Sequence, residues 1–109
     1  MKTSFFSVLI ASVIIFITLG SGALFAQTGY AVHYSDWFQG KKTANNEIFD
    51  QNALTAAHKK LPFGTKVRIT NLSNDRSVIV RINDRMPTRN SNIIDVSKSA
   101  AEKLNFVRE

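Results

Sequence analysis

The chain of 109 residues contains no cysteine. A disulfide framework, a thiolate zinc site, a cysteine nucleophile and a lipidated N-terminal cysteine are therefore all excluded. Glycine and proline are also scarce, and no glycine-rich phosphate loop occurs. Neither a G-x-S-x-G elbow nor an H-x-x-x-H pair is present, which argues against a serine hydrolase and against a metal site. We expect no metal and no other cofactor.

What remains is the composition of a small basic globular protein. Hydrophobic residues make up 44% and charged residues 20% of the chain, and the net charge is +6. A basic surface favours anionic partners such as nucleic acid, acidic lipid or an anionic wall polymer. Because no nucleic-acid-binding motif is visible, we do not expect a nucleic-acid partner.

Residues 1–26 have the three parts of a secretory signal peptide. Lys2 gives a short positive start, an apolar run covers residues 5–19, and small residues follow. Cleavage after Ala23 or after Ala26 is expected. The alternative is a permanent membrane anchor, but the run is shorter than the ~20 apolar residues of a typical spanning helix. After cleavage we expect no stable membrane insertion.

The mature region, residues 27–109, is predicted to be one domain. Removing 26 of the 109 residues leaves 83, and the loss of Lys2 leaves a net charge of +5. An exported domain of this size without disulfides fits a bacterial envelope better than a eukaryotic secreted protein. We expect a soluble protein in the periplasm or outside the cell, whose oligomeric state the sequence leaves open.

Period-two alternation predicts a β-hairpin in the middle of the chain. Val67 and Ile69 alternate with polar residues over residues 66–70, and an apolar alternation recurs over residues 76–83. Turn formers at residues 73–75 join the two strands. Further strands are predicted at residues 29–35 and 93–96, a loop at 36–46 and a turn at 61–64, while the state of 53–58 is left open.

One short helix is predicted at residues 98–105, where alanine, lysine and leucine are good helix formers. Ser97 is a candidate N-cap, and Ser99 with Glu102 has the spacing of a capping box. The mature domain is therefore expected to be mainly β with one short helix.

The side chains that are candidates for chemistry are acids, histidines and sugar-binding groups. The titratable candidates are Asp84, His58, Glu47, Asp95, Asp36, Asp50 and His33. Asp84 ends a strand before a proline loop, where it either faces a groove or caps the turn. His58 is either a proton shuttle or a half-buried structural residue, and Glu47 alone reads as a solvated acid. Potential sugar contacts are Tyr34, Trp37 and Phe38, unless they are core residues, and Thr43, Asn45 and Asn46.

Five ordered runs resemble one bacterial family, the rare lipoprotein A (RlpA) family of endolytic peptidoglycan transglycosylases. They cover nearly all of residues 29–106 and read GYAVHY (29–34), KTANNEIFD (42–50), LTAAH through LPFGT (54–65), VRINDRMP (80–87) and IDVS (94–97) with Ala100, Ala101 and Leu104. The resemblance implies a small six-stranded double-psi β-barrel, related to expansins and barwin-like domains.

The resemblance also implies an activity and site residues. The reaction would cleave the MurNAc–GlcNAc β-1,4 bond of peptidoglycan glycan strands, mainly peptide-free ones, and leave 1,6-anhydro-MurNAc ends. The catalytic residues would be Asp84, His58 and Glu47, brought together only by the fold. The residues expected to bind the glycan are Tyr34, Trp37, Thr43, Asn45 and Arg85. Which of Asp84 or Glu47 donates the proton stays open.

Five departures from the family pattern carry expectations. Asn46 replaces a glycine and should tolerate a positive φ. Met86 replaces a glycine beside Asp84 and should narrow the groove or move the backbone, which puts activity in doubt. No lipobox cysteine and no wall-binding domain is seen. The family's closing strand would lie beyond Glu109, so we expect a barrel that lacks it, is closed by a partner or is a fragment. The alternative to the enzyme is a non-catalytic, expansin-like glycan-binding or wall-loosening module.

Overall fold

A closed six-stranded β-barrel with one short helix forms the fold. The computed structural model describes residues 11–18 and 24–107. Its elements are β1 (Ala11–Thr18), β2 (Leu24–His33), a 3-10 turn (Asp36–Phe38), β3 (Thr55–His58), β4 (Lys66–Asn71), β5 (Arg76–Arg85), β6 (Ile94–Val96) and α1 (Lys98–Lys103). Around the barrel the order is β1-β2-β6-β3-β5-β4. The predicted mainly-β barrel with one helix is confirmed.

The predicted hairpin is formed by β4 and β5. The two strands pair antiparallel, with Val67 opposite Val80 and Ile69 opposite Val78, and all four side chains are buried. This is the outcome that alternation on two adjacent strands dictates, since every second side chain faces the core. Asp75 in the connecting turn has a φ of 62°, a conformation that Asp tolerates better than most residues.

Helix α1 closes one end of the core with Ala100, Ala101 and Leu104, all fully buried. Its N-cap is Ser97, whose hydroxyl accepts a hydrogen bond from the backbone N–H of Ala100, as predicted. The capping-box pairing of Ser99 with Glu102 is wrong, because Ser99 already lies inside the first turn. The helix ends at Lys103, before Asn105 with its positive φ of 59°, rather than at 105.

The sixth strand comes from the N-terminal apolar stretch. β1 pairs antiparallel with both β2 and β4, and Val13 and Ile15 are fully buried in the core. The described residues after α1 form no strand, as expected, and β1 rather than a C-terminal strand closes the barrel. β1 lies within the predicted signal peptide, whose residues 1–10 and 19–23, including Ala23, lie outside the described residues. Removal of residues 1–26 stays a prediction.

Strand β3 occupies the segment whose state the sequence left open. Its four residues are all buried, because β3 pairs in parallel with β5 on one side and antiparallel with β6 on the other. Ala56 faces the main core, and Ala57 belongs to a second cluster with Tyr34, Phe49 and Met86. Among the described residues, no helix is long and apolar enough to span a bilayer.

Candidate active site

A β-bulge in β5 aims Asp84 at the site. Along the β3–β5 pairing, Ala56 lies opposite Ile82 but Ala57 lies opposite Asp84, so Asn83 is an extra residue. Strict alternation would place Asp84 on the face opposite to Ala57. The inserted Asn83 shifts the alternation by one, which puts the Asp84 and Ala57 side chains on one face of the sheet.

The Asp84 carboxylate is held by donors from three parts of the chain. Oδ1 accepts hydrogen bonds from the backbone N–H groups of Ala44 (2.8 Å) and Arg85 (2.9 Å). Oδ2 accepts one from the Tyr34 hydroxyl at 2.7 Å. Only the Arg85 contact is local, of the kind a turn cap makes. The other two fix the carboxylate between the 43–47 loop and the end of β2, as a site residue requires.

Tyr34 is a buried residue that supports Asp84 through its hydroxyl. Its side chain is only 5% exposed, and its ring stacks on Phe49 at 4.2 Å between centroids. Burial, the hydrogen bond to Asp84 and the charges of Asp84 and Asp95 all raise the pKa of Tyr34, so the phenol stays neutral and donates. The buried ring fits the alternative that Tyr34 is a core residue, and its predicted sugar contact stays a prediction.

Glu47 is locked in an ion pair. Its carboxylate accepts two hydrogen bonds from Arg81, at 2.6 and 2.9 Å, and further ones from the side-chain amides of Asn83 (3.1 Å) and Asn45 (3.0 Å). The hydrogen bonds from Arg81, Asn83 and Asn45 lower the pKa of Glu47 to about 2. At neutral pH this carboxylate holds no proton to donate.

The 43–47 loop is tied by its own side chains. The Thr43 hydroxyl donates to Asn45 Oδ1 at 2.6 Å, and the Glu47 N–H donates to the same oxygen at 3.1 Å. Thr43 is buried and Asn45 is engaged within the loop, and their predicted glycan contacts stay predictions. Asn46 has a φ of 73°, as expected for a residue in a glycine position.

The His58 side chain makes hydrogen bonds to the loop that follows it. Nδ1 accepts hydrogen bonds from the N–H groups of Lys60 and Leu61, so the proton sits on Nε2, which donates to Gln27 Oε1 at 3.2 Å. Burial, then the charges of Arg85 and Lys59, lower the pKa of His58. Its imidazole is thus neutral near pH 7. It lies opposite Arg85 in the β3–β5 pairing but makes no hydrogen bond to Asp84 or Glu47.

Two of the predicted glycan-binding residues are exposed. Trp37 is 68% exposed, and its ring carries the Lys41 ammonium at 4.2 Å from the centroid. Arg85 is exposed and lies over the Phe63 ring at 4.3 Å. Among the described residues no carboxylate lies within ion-pair distance of Arg85. Trp37 and Arg85, both predicted to bind the glycan, are therefore open to a ligand.

Met86 lies inside the protein rather than in the groove. It is buried in the second cluster against Tyr34, Phe49 and Ala57, and its φ is not positive. The expectation that its side chain narrows the groove is wrong, because the chain after Asp84 turns this side chain inward. Met86 instead helps to support the ring that holds Asp84.

Asp95 on β6 is a buried acid near Asp84. Its Oδ1 is buried and has no hydrogen-bond partner among the described residues. Burial, then the charge of Asp84, raise the pKa of Asp95 to about 7. The sequence flagged Asp95 only as one candidate among seven. Within the described ranges, no group of three acids or histidines could hold a metal ion.

Sequence reasoning missed the partners of the predicted residues. Arg81 and Asn83 hold Glu47, and Gln27 holds His58. One signal was available: a charged Arg81 inside an apolar strand needs a partner. No local pattern marks Gln27.

Comparison with known proteins places the chain in a family. Residues 20–109 match the family model described as Lytic transglycolase. Three relatives carry the name endolytic peptidoglycan transglycosylase RlpA. That of Neisseria meningitidis serogroup A is 55% identical over 80% of this chain and 36% of its own length. Those of Campylobacter jejuni and Rickettsia bellii are 53% and 51% identical, over 72% and 78% of this chain and 29% and 39% of their own lengths.

The chain thus spans between 29% and 39% of the length of these curated relatives. The resemblance to the RlpA family is confirmed by both the family match and the relatives. Together with the closed barrel and the bulge that carries Asp84, they lead to one conclusion. This chain belongs to the lytic transglycolase family.

Proposed function

We propose that this domain cleaves the MurNAc–GlcNAc β-1,4 bond of peptidoglycan glycan strands without water and leaves a 1,6-anhydro-MurNAc end. The observation that carries the proposal is the Asp84 carboxylate, held by Ala44, Arg85 and Tyr34. A carboxyl fixed by its own neighbours keeps its position while substrate binds and reacts. Peptide-free strands are the favoured substrate, and the periplasm or the space outside the cell is the place of action.

The chemistry needs one proton to move onto the leaving sugar and one to leave the attacking hydroxyl. The muramyl C6 oxygen forms a bond to C1 as it releases its proton, and the C1–O4 bond breaks as O4 accepts a proton. A glycosidic oxygen is a poor leaving group, so a positioned acid lowers the barrier. Asp84 is the group at which both transfers occur, because Glu47 is held ionised and His58 is turned away.

Two exposed side chains suit a glycan with carboxylates. The Trp37 ring offers a flat apolar face of the kind that sugar rings stack on, and the Arg85 guanidinium can pair with the lactyl carboxylate of a muramyl residue. The net charge of +6 adds a general attraction for an anionic polymer. Arg85 follows Asp84 at the end of β5, and Trp37 lies in the 3-10 turn after β2.

A second candidate function is a glycan-binding or wall-loosening module. The observation in its favour is that Glu47 and His58, two of the three predicted catalytic residues, are committed to structural hydrogen bonds. A site with one free acid binds glycan while cleaving it slowly or not at all. The two functions differ in whether anhydro ends appear.

The deciding experiment digests amidase-treated, peptide-free glycan strands and reads the products by mass spectrometry. The wild-type chain is expected to yield anhydro-muramyl ends, and Asp84→Asn is expected to lose them. Circular dichroism shows whether each protein is folded, and co-sedimentation with the glycan shows whether it binds. A folded wild-type protein that binds and yields no anhydro ends would establish the binding module instead.

A further inference from the structure

Asp84 and Asp95 stand in one row of the barrel wall. Ala57 on β3 is paired with Asp84 on β5 on one side and with Asp95 on β6 on the other. Residues paired in one row of a sheet point to the same face, so both carboxyls lie on the face that Ala57 shares with Tyr34. The two Cα atoms are two strand spacings apart, about 10 Å. The side chain between them is a single methyl group.

Asp95 is built into this row without a partner of its own. Its Oδ1 is buried and accepts no hydrogen bond from any described residue. An ionised carboxylate in such a place is costly, because burial removes its water and nothing replaces it. A protonated carboxyl carries no such charge and can give its proton to a neighbour.

The groups around Asp95 leave Asp84 as its charged neighbour. In register, Asp95 faces Val32 on β2 and Ala57 on β3, neither of which titrates. The charge that acts on Asp95 is that of Asp84. Tyr34, directly after β2, donates a hydrogen bond to Asp84, and the charges of both acids raise its pKa. A proton on Asp95 removes its repulsion with the Asp84 carboxylate, so the neutral form of Asp95 is favoured beside it.

We propose that Asp95 is the proton-storing partner of Asp84: the two carboxyls on either side of Ala57 hold one proton between them, and this proton is delivered to the leaving oxygen. The inference rests on the proposed function. Asp95 acts through Asp84 and is a positioning residue rather than a second group on the substrate.

The proton balance closes over one turnover. The pair begins with one proton, which passes from Asp95 to Asp84 and from Asp84 to O4 as the C1–O4 bond breaks. The C6 hydroxyl gives its proton to Asp84 as its oxygen bonds to C1, and that proton returns to Asp95. No water, oxidant or other reactant is consumed, so the pair ends in its starting state.

The first test reads the pair directly by carboxyl ¹³C NMR titration of the labelled full chain. Asp95 is expected to titrate near pH 7, and Asp84→Asn is expected to move that midpoint to lower pH by at least half a pH unit. Asp75→Asn, which changes an exposed turn acid, should leave it in place. An Asp95 titration midpoint near pH 4, or one that Asp84→Asn leaves unchanged, overturns the pairing.

The second test measures anhydro-end formation across pH 5–9. Wild type should lose activity above about pH 7 as the stored proton is lost. Asp95→Asn should fall at least 100-fold in kcat with KM within twofold, Asp95→Glu should recover at least tenfold, and Asp75→Asn should match wild type. Asp95→Asn should melt no lower than wild type at pH 7, which excludes unfolding as the cause.

The outcomes separate the two proposals. Asp95→Asn activity within threefold of wild type, with the alkaline loss still present, overturns the role of Asp95 and leaves the proposed function intact. A wild-type chain that forms no anhydro ends overturns the proposed function and with it the proton delivery. The NMR titration then decides alone whether the two acids share a proton.

Discussion

The hydroxyl of Tyr34 donates a 2.7 Å hydrogen bond to Oδ2 of Asp84, across 50 positions of sequence. This contact joins the end of β2 to the bulge of β5 and places a neutral donor under the reactive carboxyl. Because Tyr34 is buried against Phe49, the donor is fixed before any ligand arrives. The relationship makes Tyr34 a support of Asp84.

Tyr34→Phe tests that support. The variant keeps the ring stacking and loses only the hydroxyl, so we expect a loss of stability of about 1.5–3 kcal/mol, the range for a hydrogen bond to a charged group. Anhydro-end formation should fall about 10- to 100-fold, while glycan binding in a sedimentation assay should stay within twofold. Unchanged turnover in Tyr34→Phe would show that the hydroxyl does not serve Asp84.

Glu47→Gln tests the ion pair with Arg81 through its pH dependence. The pKa of Glu47 is lowered from 4.5 to about 2 in the folded protein, so its ionised form stabilises the fold. That contribution is complete above about pH 4.5 and is lost as pH falls towards 2. Because the pair is well exposed, we expect Glu47→Gln to cost only about 1 kcal/mol at pH 7.

Urea unfolding followed by circular dichroism at several pH values measures this effect. The difference between wild type and Glu47→Gln should shrink between pH 4.5 and 2. Asp75→Asn serves as the control, because its acid lies in an exposed turn and forms no ion pair among the described residues. A difference that stays constant down to pH 2 would contradict the assigned ionisation of Glu47.

Asp95→Asn tests a second pH dependence. Ionisation of Asp95 should cost the folded protein stability as pH rises, whereas loss of ionised Glu47 costs it stability as pH falls. The pKa of Asp95 is raised from 3.8 to about 7, so ionisation opposes folding, and wild type loses stability as pH rises from about 4 to 7. Asp95→Asn removes this loss and should be the more stable protein at pH 7. Urea unfolding at pH 4 and pH 7 measures it, and equal slopes for the two proteins would contradict the burial cost.

Trp37→Ala separates binding from folding. Since the indole is 68% exposed, its removal should change unfolding free energy by no more than about 0.5 kcal/mol. Glycan affinity should fall about tenfold, the scale of one lost aromatic contact. Leu72→Ala, in the exposed β4–β5 turn, should leave affinity unchanged, and an equal loss in both variants would remove Trp37 from the glycan site.

A truncated chain, residues 27–109, tests the role of β1. Its loss removes Val13 and Ile15 from the core and leaves β2 and β4 with unpaired edges. Burial of two such side chains is worth about 3–6 kcal/mol, close to the whole stability of a small domain. We expect the truncated chain to melt well below the full chain.

N-terminal sequencing of the exported protein shows whether residues 11–18 are retained. The signal-peptide prediction requires residues 1–26 to be removed, whereas the closed barrel uses residues 11–18. A truncated chain that is as stable as the full chain would show that β1 is not needed to close the barrel.

The sequence by itself determined the local features. Alternation at Val67 and Ile69 and across residues 76–83 was enough to place the hairpin, because side-chain period depends only on neighbours in the chain. Ser97 could be named as the cap, and Asn46 as a residue of positive φ, for the same reason. Asp84 could be named from its motif, though not the direction in which it points.

Only the tertiary structure decided what surrounds those residues. The bulge at Asn83 places the Asp84 side chain on the same face of the sheet as Ala57. Arg81 forms an ion pair with Glu47. The pairing of Ala57 with both strands places Asp95 near Asp84. Each of these contacts joins residues far apart in the chain. Their ionisation depends on burial and on charges brought close by the fold, and these are quantities that a linear pattern does not contain.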